Sequence, residues 1–222
     1  MNSPGATRGI DEILNIALKG RYKKINETLN SREKILAAVK RNQPALEALP
    51  SLQDIDAIRF ENAQEQFKMV LESIGGILFY ANNLQRVADY VTNHFKEGNK
   101  YITSIAELPG IEKINSEEDA HKLEDVEVAI INGAFGVAEN SAIWITGSSV
   151  KVRVLPFICQ HLVMVLHPGN IVHNMHEAYE RIADEAYDYG VFIAGPSKTA
   201  DIEQSLVLGA HGPKSMTVFM IS

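Results

Sequence analysis

Three short segments of this 222-residue chain hold side chains whose type and setting suit chemistry. The first is Gly195-Pro196-Ser197-Lys198-Thr199-Ala200-Asp201-Ile202-Glu203, directly after the apolar run Val191 to Ala194. Gly-Pro makes a tight exit from a strand, and Ser197 or Thr199 is suited to cap a following helix. Free backbone N–H groups at such a helix start favour a phosphate or carboxylate, and open α/β sheets gather ligands at strand ends. The same residues also make an ordinary capped turn, in which Asp201 complements the helix dipole.

The second segment is Gly209-Ala210-His211-Gly212-Pro213, before the last apolar run. Glycines on either side give the His211 ring room, so it can act as a general base or orient a carboxylate near neutral pH. A plain exposed turn histidine is the alternative. His211 follows Asp201 by ten positions across one short helix, which lets both reach one cleft. The third segment is Gly133-Ala134-Phe135-Gly136-Val137-Ala138-Glu139-Asn140-Ser141-Ala142, a turn or bulged hairpin between strand-like runs. Glu139, set among apolar neighbours, could have a raised pKa and serve as acid, base or nucleophile, or be an ordinary turn glutamate.

Other candidates are weaker. His167, His173 and His176, with Glu177 and Glu180, gather near a helix start, but their spacing matches no strong zinc motif, so surface and helix-start histidines are expected and no metal site. Cys159 is the chain's one cysteine; it cannot form an internal disulfide or hold an iron–sulfur cluster by itself, and its apolar surroundings suggest a small buried hydrophobe. The chain has no Walker loop, no G-x-G-x-x-G and no G-x-S-x-G. The usual signatures of nucleotide hydrolysis, dinucleotide binding and serine hydrolysis are therefore missing.

These segments need elements to position them. Helical spacing runs from Ile10 to about Asn42, and Pro44, Pro50 and Ser51 read as a linker, so residues 1–50 form a helical arm and 51–222 an α/β domain. A two-helix arm buries too little surface alone and should pack on the domain or on a second copy, making a homodimer. Beyond the linker, Ile55 to Phe60, Ile77 to Ala81, Lys100 to Ser104, Val126 to Asn132, Ala142 to Thr146, Leu162 to Leu166, Val191 to Ala194 and Met216 to Ile221 are strand-like. Helical patterns cover Ala63 to Ser73, Leu84 to Phe95 and Met175 to Tyr187. This alternation predicts a three-layer α/β fold: a largely parallel sheet with helices on both faces.

Composition narrows the function class. The chain is 45% hydrophobic, and 21 Lys and Arg stand against 28 Asp and Glu, a net charge of −7. That disfavours nucleic acid and anionic membrane surfaces as partners. Met1 to Gly20 has no apolar core of signal-peptide type, and no stretch approaches the roughly 20 apolar residues of a membrane helix, so a cytoplasmic location without membrane insertion is expected.

Taken in order, Gly136-Val137-Ala138-Glu139, Val152-Arg153-Val154-Leu155-Pro156, the Gly195 to Glu203 run and His211-Gly212-Pro213 resemble the LUD-domain family. Within it the chain looks most like the LutC/YkgG (lactate utilization protein C) group, over roughly Ser31 to the C-terminus. Ser141 stands where many members have glycine, the residue free of a Cβ. The resemblance implies a fold similar to the NagB/RpiA/CoA-transferase group. It implies an accessory role in bacterial oxidation of L-lactate to pyruvate, beside LutA-like and LutB-like partner proteins that carry the iron–sulfur clusters. This chain would itself bind no cofactor. Gly195, Pro196, Ser197, Thr199, Glu203 and Gly212 would bind a small carboxylate or phosphate, or hold a partner, near Glu139, Asp201 and His211. The alternative is an independent enzyme on an acyl, CoA-type or phosphorylated substrate, with Glu139 as nucleophile or base, similar to CoA transferases.

Overall fold

The computed structural model describes residues 30–47, 56–95, 99–183, 185–198, 209 and 211–222. The chain separates into two compact units, Met1–Ser51 and Leu52–Ser222. In the first, helix α1 (Ser31–Arg41) opens on a reciprocal capping box: Asn30 Oδ1 accepts from Glu33 N–H, and the Glu33 carboxylate accepts from Asn30 N–H. Its apolar residues Ile35, Leu36 and Val39 are all exposed. The helical expectation for Ile10 to Leu18 lies outside the described residues.

The second unit contains helices α2 (Ala63–Ser73), α3 (Leu84–His94) and α4 (Met175–Ala183). Local sequence sets the limits of α2. Asn62 caps its start, accepting from Gln64 and Glu65 N–H, and Phe67 and Leu71 bury its inner stripe. Gly75, at φ +92°, ends it: Gly75 N–H bonds Glu72 C=O and Gly76 N–H bonds Leu71 C=O, the double bond of a Schellman stop.

Among the described residues ten strands form two sheets: β1 (Ile77–Ala81), β2 (Lys100–Thr103), β3 (Glu112–Lys113), β4 (Val126–Asn132), β5 (Phe135–Val137), β6 (Ile143–Thr146), β7 (His161–Leu166), β8 (Ile171–Val172), β9 (Gly190–Ile193) and β10 (Ser215–Ile221). Six of them make a wholly parallel sheet in the order β1-β10-β7-β4-β2-β3. The α/β fold with a largely parallel sheet is therefore as expected. Its central strands are buried on both faces, which is why Val126 to Asn132 reads as an almost unbroken apolar run.

Two sequence expectations are corrected. Residues 56–60 are irregular rather than a strand. They are held from outside: Asn174 Nδ2 donates to Ile58 C=O, and Phe60 N–H donates to His173 Nδ1. Second, Ile143 to Thr146 and Gly190 to Ile193 do not join the parallel sheet. They belong to a separate four-stranded sheet, β8-β5-β6-β9, in which β6 runs antiparallel to both β5 and β9.

This second sheet changes the layering. Neighbouring residues such as Ile130 and Ile131, Val163 and Met164, and Val218 and Phe219 point to opposite faces of the parallel sheet. On one face Ile130, Val163 and Phe219 pack with Val87 and Val91 of α3. On the other, Ile131, Met164 and Val218 pack with Phe67 and Leu71 of α2 and also with Ile143 and Ile145 of β6. One face is thus covered by a helix and a sheet together. The outer side of the small sheet is closed by Ala178 and Ile182 of α4 against Phe135 and Trp144. No helix among the described residues is long and apolar enough to cross a membrane.

Candidate functional site

The Glu139 segment is the turn of the β5–β6 hairpin. Gly136 is required there by space: a Cβ would lie 2.8 Å from the Phe67 ring and 2.8 Å from Ile171 Cδ1. Glu139 is exposed, and not enclosed by the apolar neighbours that flank it in sequence. Its Oε2 accepts from Met175 N–H at 3.0 Å, and its own N–H donates to His173 C=O at 3.1 Å. Asn174 Oδ1 accepts from Glu177 N–H, so Glu139 and Asn174 together satisfy two of the free donors at the start of α4. Glu177 Oε2 accepts from His173 N–H, while its Oε1 pairs with Arg59 at 2.8 Å.

Ser141 has φ +54° and is fully buried, and its hydroxyl oxygen has no hydrogen-bond partner. A left-handed backbone is the conformation that favours glycine, the residue found here in many members of the family this sequence resembles. Asn140 supports the turn by accepting from Ala142 N–H at 3.0 Å.

The Gly195 and His211 segments meet. Ser197 N–H donates to Pro213 C=O at 2.9 Å, and Gly209 N–H donates to Ser197 C=O at 3.0 Å. A Cβ on Gly212 would lie 3.0 Å from Ser197 Cβ, so glycine permits this approach. Gly195, at φ +67°, and Pro196 are buried, and a Cβ on Gly195 would strike the Ile74 side chain at 2.9 Å. His211 stands exposed beside this pair of turns. Thr199, Asp201 and Glu203 lie outside the described residues.

Two features differ from the sequence reading. The Ser197 N–H is taken by Pro213 and is not free for an anion. The strand that Gly195 leaves, β9, belongs to the mixed sheet, so the rule placing ligands at the carboxyl ends of a parallel sheet does not reach it. The β6–β9 ladder ends at the pair Ile143–Ile193, and Ser141 and Gly195 both lie two residues beyond it, at the same end of that sheet. No described hydrogen bond joins Glu139 to either of the paired turns.

The histidines go separate ways. His167 Nδ1 accepts from Gly169 N–H, His173 Nδ1 accepts from Phe60 N–H, and His176 is exposed. Among the described residues no three His, Cys, Asp or Glu side chains are grouped to hold a metal ion. Cys159 is buried, and burial pushes its thiol up to about 12.

Sequence reasoning missed one polar group altogether. His161 Nδ1 and Ser215 Oγ are 2.7 Å apart, and His161 Nε2 lies 3.6 Å from Glu127 Oε1. These residues sit at the N-terminal ends of β7, β10 and β4, and His161 and Ser215 are register partners. Only the strand pairing reveals them. Burial lowers the His161 pKa below the usual histidine value, against the opposing pull of Glu127. Arg59, Phe60 and Asn174 were also missed, although Asn174 with Glu177 three residues on is a readable helix-start signal.

Comparison with known proteins places this arrangement. Residues 106–221, just over half of the chain, match the LUD domain. Lactate utilization protein C of Shouchella clausii (strain KSM-K16) is 26% identical over 113 residues, which cover 47% of this chain and 49% of that protein. The uncharacterized protein YkgG of Escherichia coli (strain K12) is 24% identical over 110 residues, 47% of this chain and 48% of that one. The matched region thus spans about half the length of these relatives. The crystal structure of a DUF162 family protein from Deinococcus radiodurans aligns with a TM-score of 0.57 at 14% identity, over 75% of this chain and all of that one, a likeness of fold alone. The family resemblance read from Gly136 to Pro213 is borne out: this chain belongs to the LUD-domain family.

Proposed function

We propose that this chain is an accessory subunit of a bacterial system that oxidises L-lactate to pyruvate. Its partners are two proteins, LutA-like and LutB-like, that carry the iron–sulfur clusters and the electron transfer. The observation that carries the reading is the LUD-domain match, together with relatives named lactate utilization protein C that each align with just under half of the chain. The single cysteine fits a subunit without its own redox centre, since a cluster needs several thiolates and Cys159 is buried.

In this reading the paired turns receive a small carboxylate or a loop of a partner. Gly195, Pro196 and Gly212 set the backbone, Ser197 supplies a hydroxyl, and exposed His211 supplies a ring that can donate to a carboxylate. Thr199, Asp201 and Glu203 complete the segment. Glu139 positions the start of α4 through Met175 N–H, a role that needs its carboxylate where it is.

The independent-enzyme alternative uses that same Glu139 as nucleophile or base on an acyl or CoA-type substrate. It would require the carboxylate to give up its bond to Met175. Co-purification separates the two: with all three proteins co-expressed, this chain is expected to elute with both partners, and elution alone under every condition would argue against the subunit reading. Acyl transfer by the chain alone, abolished in Glu139→Gln, would favour the alternative.

A further inference from the structure

A groove lies along α3 where that helix leaves the edge strand β1 uncovered. Its floor is aromatic. Phe79 of β1 packs on its register partner Phe219 with ring centroids 5.4 Å apart, and both meet Tyr90 of α3 at 5.3 and 5.2 Å. Tyr90 in turn stacks on His94 at 4.8 Å and 13°. Phe79 remains 39% exposed, although two aromatic rings, Tyr90 and Phe219, pack against it.

The rim is polar. Arg86, Asp89 and Asn93 follow one another along the same side of α3 and are exposed. Among the described residues Arg86 has no carboxylate partner. Asp89 Oδ1 is fixed by Gln85 Nε2 at 2.9 Å, which holds the carboxylate in place as an acceptor. The groove is open to solvent and has a volume of about 460 Å³, within the range of small-molecule sites.

Each feature selects a part of a ligand. An exposed aromatic face favours a planar ring laid against it. A free guanidinium favours a phosphate or carboxylate, which it can grip through two donors. The fixed carboxylate of Asp89 and the amide of Asn93 suit hydroxyls or an exocyclic amine. From Arg86 to Asn93 the helix rises about 10 Å, a distance over which a ring, a sugar and an anionic group can be laid out in line. We propose that this groove binds a mononucleotide, with the base against Phe79 and Tyr90 and the phosphate on Arg86. The inference stands apart from the lactate reading, since it uses none of the paired-turn residues.

The test is calorimetric titration of the full chain with AMP, GMP, CMP, UMP and FMN, and with adenosine and ribose 5-phosphate as the two halves of AMP. Binding of at least one mononucleotide is expected, weakened about tenfold or more in Arg86→Ala and in Phe79→Ala. Arg86→Ala should leave adenosine binding unchanged, because adenosine has no phosphate. Arg86 is exposed on a helix, so its variant is expected to fold even if Phe79→Ala does not. Ser197→Ala and His211→Ala should leave the titration as it was. No heat with any mononucleotide up to about 5 mM, or binding indifferent to Arg86→Ala, would overturn the proposal.

Discussion

The carboxylate of Glu139 and the backbone N–H of Met175 are 3.0 Å apart, so a hairpin turn caps a helix that begins 36 residues later. That bond ties the small sheet to α4 and satisfies a donor that the helix cannot satisfy itself. Glu139→Ala should therefore destabilise the protein by about 1 kcal/mol, the usual cost of losing a helix cap. Glu139→Gln should cost less, because the amide oxygen still accepts and only the charge at the helix start is lost. Urea denaturation of the three proteins checks this, and equal stability of all three would remove the cap from the account of α4.

Ser141 offers a stabilising substitution. Its φ of +54° strains an L side chain, and its buried hydroxyl is without a partner. Ser141→Gly relieves about 1–2 kcal/mol of backbone strain and removes a polar group whose burial costs a further ~1 kcal/mol or more. Against that stands about 0.5–1 kcal/mol for the greater freedom of glycine in the unfolded chain. A net gain of about 1–2 kcal/mol is expected in the same urea experiment. Ser141→Ala, which keeps the strain, should gain less.

Gly195 and Gly110 share nearly the same φ, +67° and +68°, but not the same surroundings. A Cβ at Gly110 meets open space, whereas one at Gly195 meets Ile74 at 2.9 Å. Both alanine variants should lose about 1–2 kcal/mol to the left-handed conformation. Gly195→Ala should lose more, by the cost of displacing Ile74. Equal losses would mean that the turn shifts freely, and that its fit against α2 is not needed.

His161 makes stability depend on pH in a definite direction. Its folded pKa is lowered, so the unfolded chain binds a proton there more readily than the folded one. Stability should fall as pH drops below the unfolded histidine value of about 6.5 and should be indifferent to this group above it. Glu127 opposes the shift, while Lys214 and His94 add to it. His161→Gln should flatten the slope between about pH 5 and 7, measured as melting temperature against pH. The carboxylates lowered in the fold, Asp119, Asp125 and Asp188, act below about pH 4 and leave that window clear.

Where local chemistry decides structure, the sequence was readable. Helix α2 runs from its asparagine cap to its glycine stop with the limits expected, and β4 matches its apolar run. The small sheet was not readable as a sheet. Its strands β5 and β8 are three and two residues long, too short for any periodicity, and their pairing comes from packing against α2 and α4. Residues 56–60 mislead because Ile-Arg-Phe alternates like a strand, yet their anchors are side chains more than a hundred positions away. The motifs of the paired turns stood out as words, but that Ser197 spends its N–H on Pro213 follows only from the folded chain.

Lactate oxidation by the purified LutA-like and LutB-like proteins, with and without this chain, is the most direct measurement. L-Lactate-dependent reduction of an artificial electron acceptor should be slow or absent with the two partners alone. It should be restored by adding the intact chain, and only partly by Ser197→Ala or His211→Ala. Full oxidation by the partners alone, unchanged when this chain is added, would contradict the subunit role.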